Sequence, residues 1–290
     1  MANLKEIRNR ISSVKSTMQI TSAMKMVSAA KLKRAQDAII RLRPFASKLR
    51  DILENVSGTL DLSENKYAMK REENRVLIIA ITSNRGLCGG FNNNVIKKVQ
   101  FLIKDTYAQS DVKVLCLGKK IKDVIKKTDH YYINEHIAPL EDVLLDLTFE
   151  KTGLIVDQVM QLFFDKEFDK IVVVYNRFLN TANQIVEVEP FLPIEPSVGT
   201  ENTATDYIFE PGKEEIVSEL IPKSLKTQLF KSLLDSTAAE HGARMTAMHK
   251  ATDNASEIKK SLTLSYNKAR QAAITNEILE IVGGAEALNA

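Results

Sequence analysis

The chain has 290 residues, 44% hydrophobic and 27% charged, with aromatics at only 6% and no Trp. That composition excludes a disordered chain, and no apolar run approaches the ~18 residues of a membrane-spanning helix. The net charge of +3 hides an asymmetry: residues 1–56 carry twelve Lys and Arg against four Asp and Glu, whereas residues 57–211 carry 18 against 23.

The N-terminal segment carries a seam. From Leu4 through Ile7, Ile11 and Val14 to Leu53 and Val56, positions spaced alternately by three and four are apolar at thirteen of sixteen places. This spacing specifies an α-helix that offers a narrow stripe to a partner helix. At ~1.5 Å per residue it would run roughly 80 Å, so part of it must project from any compact domain. Pro44 lies off the seam and is expected to kink it. The polar seam positions Thr21, Lys25 and Ser28 are consecutive, which predicts a solvated patch or a meeting with something other than the partner helix. The first eighteen residues have the basic, amphipathic character of a transit peptide. The seam, however, begins at Leu4 and continues in register beyond them, so they read as structure.

The middle reads as α/β. Residues 75–82 (RVLIIAIT), 112–117 (VKVLCL) and 170–175 (KIVVVY) have the continuous apolar character of buried parallel strands. Residues 184–191 alternate and end near Pro190 and Pro193, as an edge strand would. Helices are expected at about 92–107, 119–127 and 141–165, which gives a doubly wound sheet. The first strand runs into Ser83-Asn84-Arg85-Gly86-Leu87-Cys88-Gly89-Gly90-Phe91-Asn92, where a dinucleotide-binding domain places its phosphate loop. The glycine spacing fits neither G-x-G-x-x-G nor a Walker A loop, and no acidic residue ends the second strand. A tight strand-to-helix turn is the simpler reading. Cys88 has no evident His or Asp companion for nucleophilic chemistry. His130, His136, His241 and His249 are too scattered to ligate one metal ion. Cys88 and Cys116 are too few for a disulfide scaffold.

From about residue 213 onward a second long helix is expected, with Pro222 ending a short first piece. Its apolar positions again recur at three and four, from Leu225, Leu229 and Leu233 to Ala269 and Ala273. Neither terminal helix is stable alone in water, and antiparallel pairing would bury both seams. Toward the C-terminus, Ile274, Ile278, Ile281, Val282 and Leu288 belong to a stretch that is apolar on most faces. Such a helix must be covered. A collar supplied by another protein is expected, the alternative being a tip folded back on its own chain.

Three stretches fit together: residues 20–32 (ITSAMKMVSAAKL), residues 85–92 (RGLCGGFN), and residues 240–255 with 264–275 (EHGARMTAMHKATDNA and LSYNKARQAAIT). Along essentially the whole chain this resembles the gamma-subunit family of F-type ATP synthases. The resemblance implies an antiparallel coiled coil of N- and C-terminal helices (1–58 and 212–288) with an inserted Rossmann-like α/β foot domain (70–208). It implies a non-catalytic rotor shaft without a cofactor, turning inside three alpha and three beta subunits. The foot would meet an epsilon subunit and a membrane c-ring. The complex would lie peripherally on the cytoplasmic face of a bacterial plasma membrane, with no presequence ahead of Met1. Family contacts to beta fall on Met24, Lys25, Arg270, Gln271 and Thr275, and the apolar bearing falls on the tip just described. The foot contact to epsilon and the ring falls on Tyr207. Asn84 and Gly242 depart from the family's usual Asp and Ala. The rival from the residues alone is a static coiled-coil adaptor with an α/β binding head. A nucleic-acid binder is disfavoured because the basic segment holds a single aromatic, Phe45.

Overall fold

The structure is a computed structural model that describes residues 4–57, 66–67, 69, 71–133, 137, 143–181, 183–194 and 213–289, without the side chains of 50–57, 213–218 and 286–289. Tyr207 and the side chain of Leu288 lie outside the described residues. In chain order the elements are α1 (Leu4–Ser57), β1 (Arg75–Ile81), α2 (Phe91–Phe101), β2 (Asp111–Leu117), α3 (Lys119–Ile125), α4 (Phe149–Phe164), β3 (Lys170–Phe178), β4 (Gln184–Leu192) and α5 (Lys213–Asn289). One π-helical turn, Leu102–Thr106, continues α2. The chain divides into two compact units, residues 1–28 with 245–290, and residues 29–244.

In the larger unit the sheet order is β2-β1-β3-β4; β1 is parallel to β2 and β3, and β4 runs antiparallel on the edge. The period of two sorts the side chains of β1 between two cores. Leu77, Ile79 and Ile81 face α4 (Ile155, Val159, Phe163) and α5 (Leu225, Leu229, Leu233). Val76, Ile78 and Ala80 face α2 (Val95, Val99) and α3 (Ile121, Ile125). Each of the buried Val, Leu, Ile and Phe side chains among these contributes about 1.5–3 kcal/mol by leaving water. The doubly wound sheet expected from the apolar runs is therefore present. Asp169, 5% exposed, pins the start of the sheet: it accepts from Arg75 Nε at 3.1 Å, Nη2 at 2.9 Å and the Arg75 amide at 3.0 Å.

Both sheet edges are modified. Along β2, Val114 donates to the His130 carbonyl and accepts from the Tyr132 amide, so residues 130–132 cover that edge. On β4, Pro190 removes one amide donor and Gln228 Nε2 donates to its carbonyl at 3.0 Å.

Two expectations are corrected. Pro222 does not end a first helix, because α5 runs unbroken from Lys213 to Asn289 with Pro222 inside it. Nearby Ile221 and Leu225 are buried, and their packing outweighs the ~3 kcal/mol that an interior proline costs. The polar seam is not a wet patch either. Thr21 is buried and its hydroxyl lies 2.8 Å from that of Thr252, so that one donates to the other while the acceptor donates back to its own helix, at Met18 or Met248. Ser28, 3% exposed, donates to the Met24 carbonyl at 2.8 Å. Hydroxyls satisfied within the helix can sit in a seam that a bare polar group could not enter. Lys25 is half-buried.

Gly118 joins the first two βα turns. Its φ is +117°, and a Cβ there would drive into the Thr82 carbonyl. Around it Thr82 donates its amide to Leu117 and accepts the Ile121 amide on its hydroxyl, while Asn84 Oδ1 accepts from the Lys119 amide at 2.9 Å. Gly118→Ala should cost at least ~2 kcal/mol, since it adds backbone strain to a clash with main chain. A urea titration reads this directly, and a loss below ~0.5 kcal/mol would show that the turn can yield.

Candidate functional site

The loop from β1 to α2 is built for turning and for holding a helix. Leu87 (φ +63°) and Gly89 (φ +59°) both adopt the left-handed conformation. Of the three glycines in the loop, only Gly89 requires that freedom; Leu87 takes it with its side chain exposed. Within the turn Asn92 is the organiser. Its Oδ1 accepts from the Ser83 amide at 2.9 Å, and its Nδ2 donates to Ser83 Oγ at 2.8 Å and Cys88 Sγ at 3.1 Å. Cys88 is 2% exposed, and Cys116 is buried with its thiol pushed up to about 12 by burial, so neither is placed as a nucleophile.

The loop aims main-chain carbonyls outward, at α5. Arg244, 7% exposed, donates from Nη2 to the Arg85 carbonyl at 2.9 Å and to the Gly86 carbonyl at 3.2 Å, and from Nε to Gly86 at 3.3 Å. Its Nη1 donates to Glu240 one turn earlier, at 2.6 Å. Ala239 and Ala243 pack on Cys88 and Phe91 beside it. A phosphate loop works in the opposite sense, by presenting amide N–H groups to an anion. Here the same place in the fold presents carbonyl oxygens to a guanidinium.

Burial raises the Glu240 carboxyl, opposed by Arg244 and Lys31. The neighbouring His241 ring is pushed down to about 4 by burial, then by Arg244 and Lys31, so it is neutral at pH 7. Its Nδ1 accepts from Arg244 at 3.4 Å. Gly242 has a packing reason beyond local helix loosening: a Cβ there would lie 3.1 Å from Phe178 Cε2, so the ring of β3 rests on the helix backbone. Asn176 at the end of β3 donates to the Phe91 carbonyl at 3.0 Å, a third tie to the loop. The sequence motif contained Glu240 and Arg244 at helical spacing, but the carbonyls that Arg244 binds lie 158 and 159 residues away. No local pattern could have pointed to them.

The residues expected to meet beta fall elsewhere, in the smaller unit. Met24 and Lys25 are half-buried on α1, whereas Met26 (65%), Val27 and Ile20 are exposed beside them. Arg270, Gln271 and Thr275 are exposed on α5, with Thr275 Oγ1 donating to the Gln271 carbonyl at 2.9 Å. Arg270 makes no ion pair among the described residues. The apolar tip is not folded back: Ile274 is 48% exposed, Ile278 55%, Ile281 67% and Val282 55%, with Leu279 at 63%. Large apolar side chains spaced around one helix and open to water form a surface that a soluble chain normally covers.

A family model described as ATP synthase matches residues 3–288. The ATP synthase gamma chain of Christiangramia forsetii is 59% identical over 290 residues, spanning 100% of both chains, and that of Flavobacterium johnsoniae is 60% identical over 291 residues with the same coverage.

The chain belongs to the ATP synthase gamma chain family.

Among solved structures, a rotor chain of the Euglena gracilis mitochondrial ATP synthase superposes with a TM-score of 0.64 at 20% identity, over 93% of this chain and 98% of that one. A central-stalk chain of the Tetrahymena thermophila enzyme gives 0.59 at 22% identity, over 80% of this chain and 99% of that one. These likenesses bear on fold, and the fold they share is the long-helix pair with an inserted α/β sheet.

Arg244→Leu would leave Glu240 buried without its cation and three carbonyl bonds unmade. A loss of ~3–5 kcal/mol in chain stability is expected, the usual result of breaking a buried ion pair from one side. Thermal unfolding measures it, and a loss below ~1 kcal/mol would mean that α5 does not depend on this clamp.

Proposed function

We propose that the chain is the central rotor shaft of a proton-translocating ATP synthase, coupling rotation of a membrane c-ring to ATP synthesis and hydrolysis at the beta subunits. The observation that carries the reading is the bare apolar tip from Ile274 to Val282 on a member of this family. A shaft end that turns inside a collar has to break every directional bond it makes at each step. Aliphatic side chains avoid that cost, because dispersion and water exclusion have no preferred angle. The tip, with Leu288, therefore serves as the bearing within three alpha and three beta subunits.

Torque requires the opposite, a few directional contacts. Arg270, Gln271 and Thr275 are exposed one turn before and within the tip, and they supply such contacts to beta. Arg270, free of an internal partner among the described residues, suits a charge-assisted bond to a carboxylate. Met24 and Lys25, among exposed apolar neighbours on the basic α1, form a second contact to beta. Tyr207 serves the foot, toward epsilon and the ring. The chain itself catalyses nothing. Its orientation is the effector that sets nucleotide affinity in beta, a coupling between distant sites through a rigid element. No helix among the described residues is long and apolar enough to cross a membrane. In this reading the assembled complex lies peripherally, on the cytoplasmic face of a bacterial plasma membrane.

ATP hydrolysis by purified alpha and beta subunits, with and without the chain, tests this reading. Activation that saturates at one chain per three alpha and three beta subunits is expected, with no hydrolysis from the chain alone. Failure to bind or activate would return the protein to a static adaptor. Within the reconstituted complex, Arg270→Ala should lower ATP turnover about tenfold or more, the worth of one charge-assisted bond at ~1.5–3 kcal/mol, while the isolated chain unfolds as before. Unchanged turnover would remove Arg270 from the contact.

A further inference from the structure

Beneath α5, in the larger unit, lies a group of ionisable side chains that the proposed rotation does not use. Asp235 is 8% exposed and forms no hydrogen bond or ion pair among the described residues. The cations around it are engaged elsewhere. Lys231, one turn earlier on α5, pairs with Glu189 at 3.4 Å, and Arg177 on β3 pairs with Glu187 at 3.2 Å. Glu187 and Glu189 project from the same face of β4. Tyr175 on β3 donates to Glu187 Oε2 at 3.4 Å, and Ser232 on α5 donates to Glu189 Oε2 at 3.4 Å. Arg43 of α1 is the remaining cation that acts on Asp235. Asp235 is thus a buried carboxyl one turn beyond Lys231 and Ser232, the two residues through which α5 holds Glu189 of β4.

We propose that Asp235 is a proton-sensitive latch on the seating of α5: protonated, it fits the buried contact beneath the helix, and ionised, it needs water that the contact excludes and so loosens it. Burial is the main force on the carboxyl; Lys231 and Arg43 oppose it, Glu189 and Glu187 add to it, and the net result carries Asp235 up to about 6 from its ordinary 3.8. The sign follows. Between those values the unfolded chain gives up a proton that the folded chain keeps, so stability falls as pH rises from about 4 to about 6 and the loss is complete above that range. The gap sets a ceiling of roughly a hundredfold on the change in the unfolding equilibrium constant.

The test compares the full-length chain with Asp235→Asn, which keeps the shape and cannot ionise. In urea titrations from pH 4 to pH 8, the variant should match the wild type near pH 4 and become tens of times more stable relative to it by pH 7. His241 and every other titrating group remain in both chains, so the difference isolates Asp235. Amide exchange in residues 225–244 and in β4, corrected for intrinsic rates, should be faster at pH 8 than at pH 5 in the wild type and unchanged in the variant. Parallel pH profiles in the two chains, or equal exchange, would overturn the latch. Should the variant fail to fold, carboxyl carbon NMR of the wild type decides the matter. Asp235 titrating above pH 5 upholds the proposal, and titration at or below pH 4 defeats it.

Discussion

A long helix in water persists only as far as something covers its apolar stripe, and here that constraint falls on two helices of 54 and 77 residues. In the larger unit the sheet does the covering. Leu225, Leu229 and Leu233 of α5 enter the core above β1 and β3, and Ala239 and Ala243 continue the same stripe onto the β1–α2 loop. Arg244 closes the series by converting a change of neighbour into fixed hydrogen bonds. On α1, Leu32, Ala35 and Ile39 are buried in their turn. Ala255 is the last buried position of α5 among the described residues, and beyond it Ile258, Leu264 and the aliphatics of the tip are open.

Much of this was legible in the residues. An unbroken alternation of three and four over α1 admits little besides a paired helix, and three apolar runs of strand length with helices between them admit little besides a parallel sheet. The edge position of β4 followed from its alternation and its prolines. What stayed hidden was set by partners distant in sequence. Thr21 looked like a gap in the seam because a hydroxyl's value depends on whether Thr252 lies opposite. Pro222 looked like a stop because local propensity argues for one, while the buried neighbours that outvote it belong to the tertiary structure. Arg244 and Asp235 are the sharpest pair. Both are charged residues on one helix and indistinguishable by pattern, yet one is fully bonded and the other is buried without such bonds among the described residues.

The β1–α2 loop shows why position in a fold does not fix chemistry. Its place at the C-terminal end of the first strand is the one dinucleotide-binding proteins use, and it is rich in glycine. Ser83, Cys88 and Asn92 tie up the interior of the turn, and the outward carbonyls of Arg85 and Gly86 reverse the polarity a phosphate would need. A loop that elsewhere cradles a ligand has become the socket for a helix of the same chain.

The two modified sheet edges bear on the life of the chain before it finds its partners. On the proposed function, a newly made chain waits until its partners are present. During that time an open strand is a template for stacking with other copies. Residues 130–132 occupy one margin of the sheet. The other carries Pro190, which cannot donate and whose carbonyl is taken by Gln228. Neighbouring copies therefore meet a covered margin on one side and an interrupted one on the other, which discourages amyloid-like growth while assembly is pending.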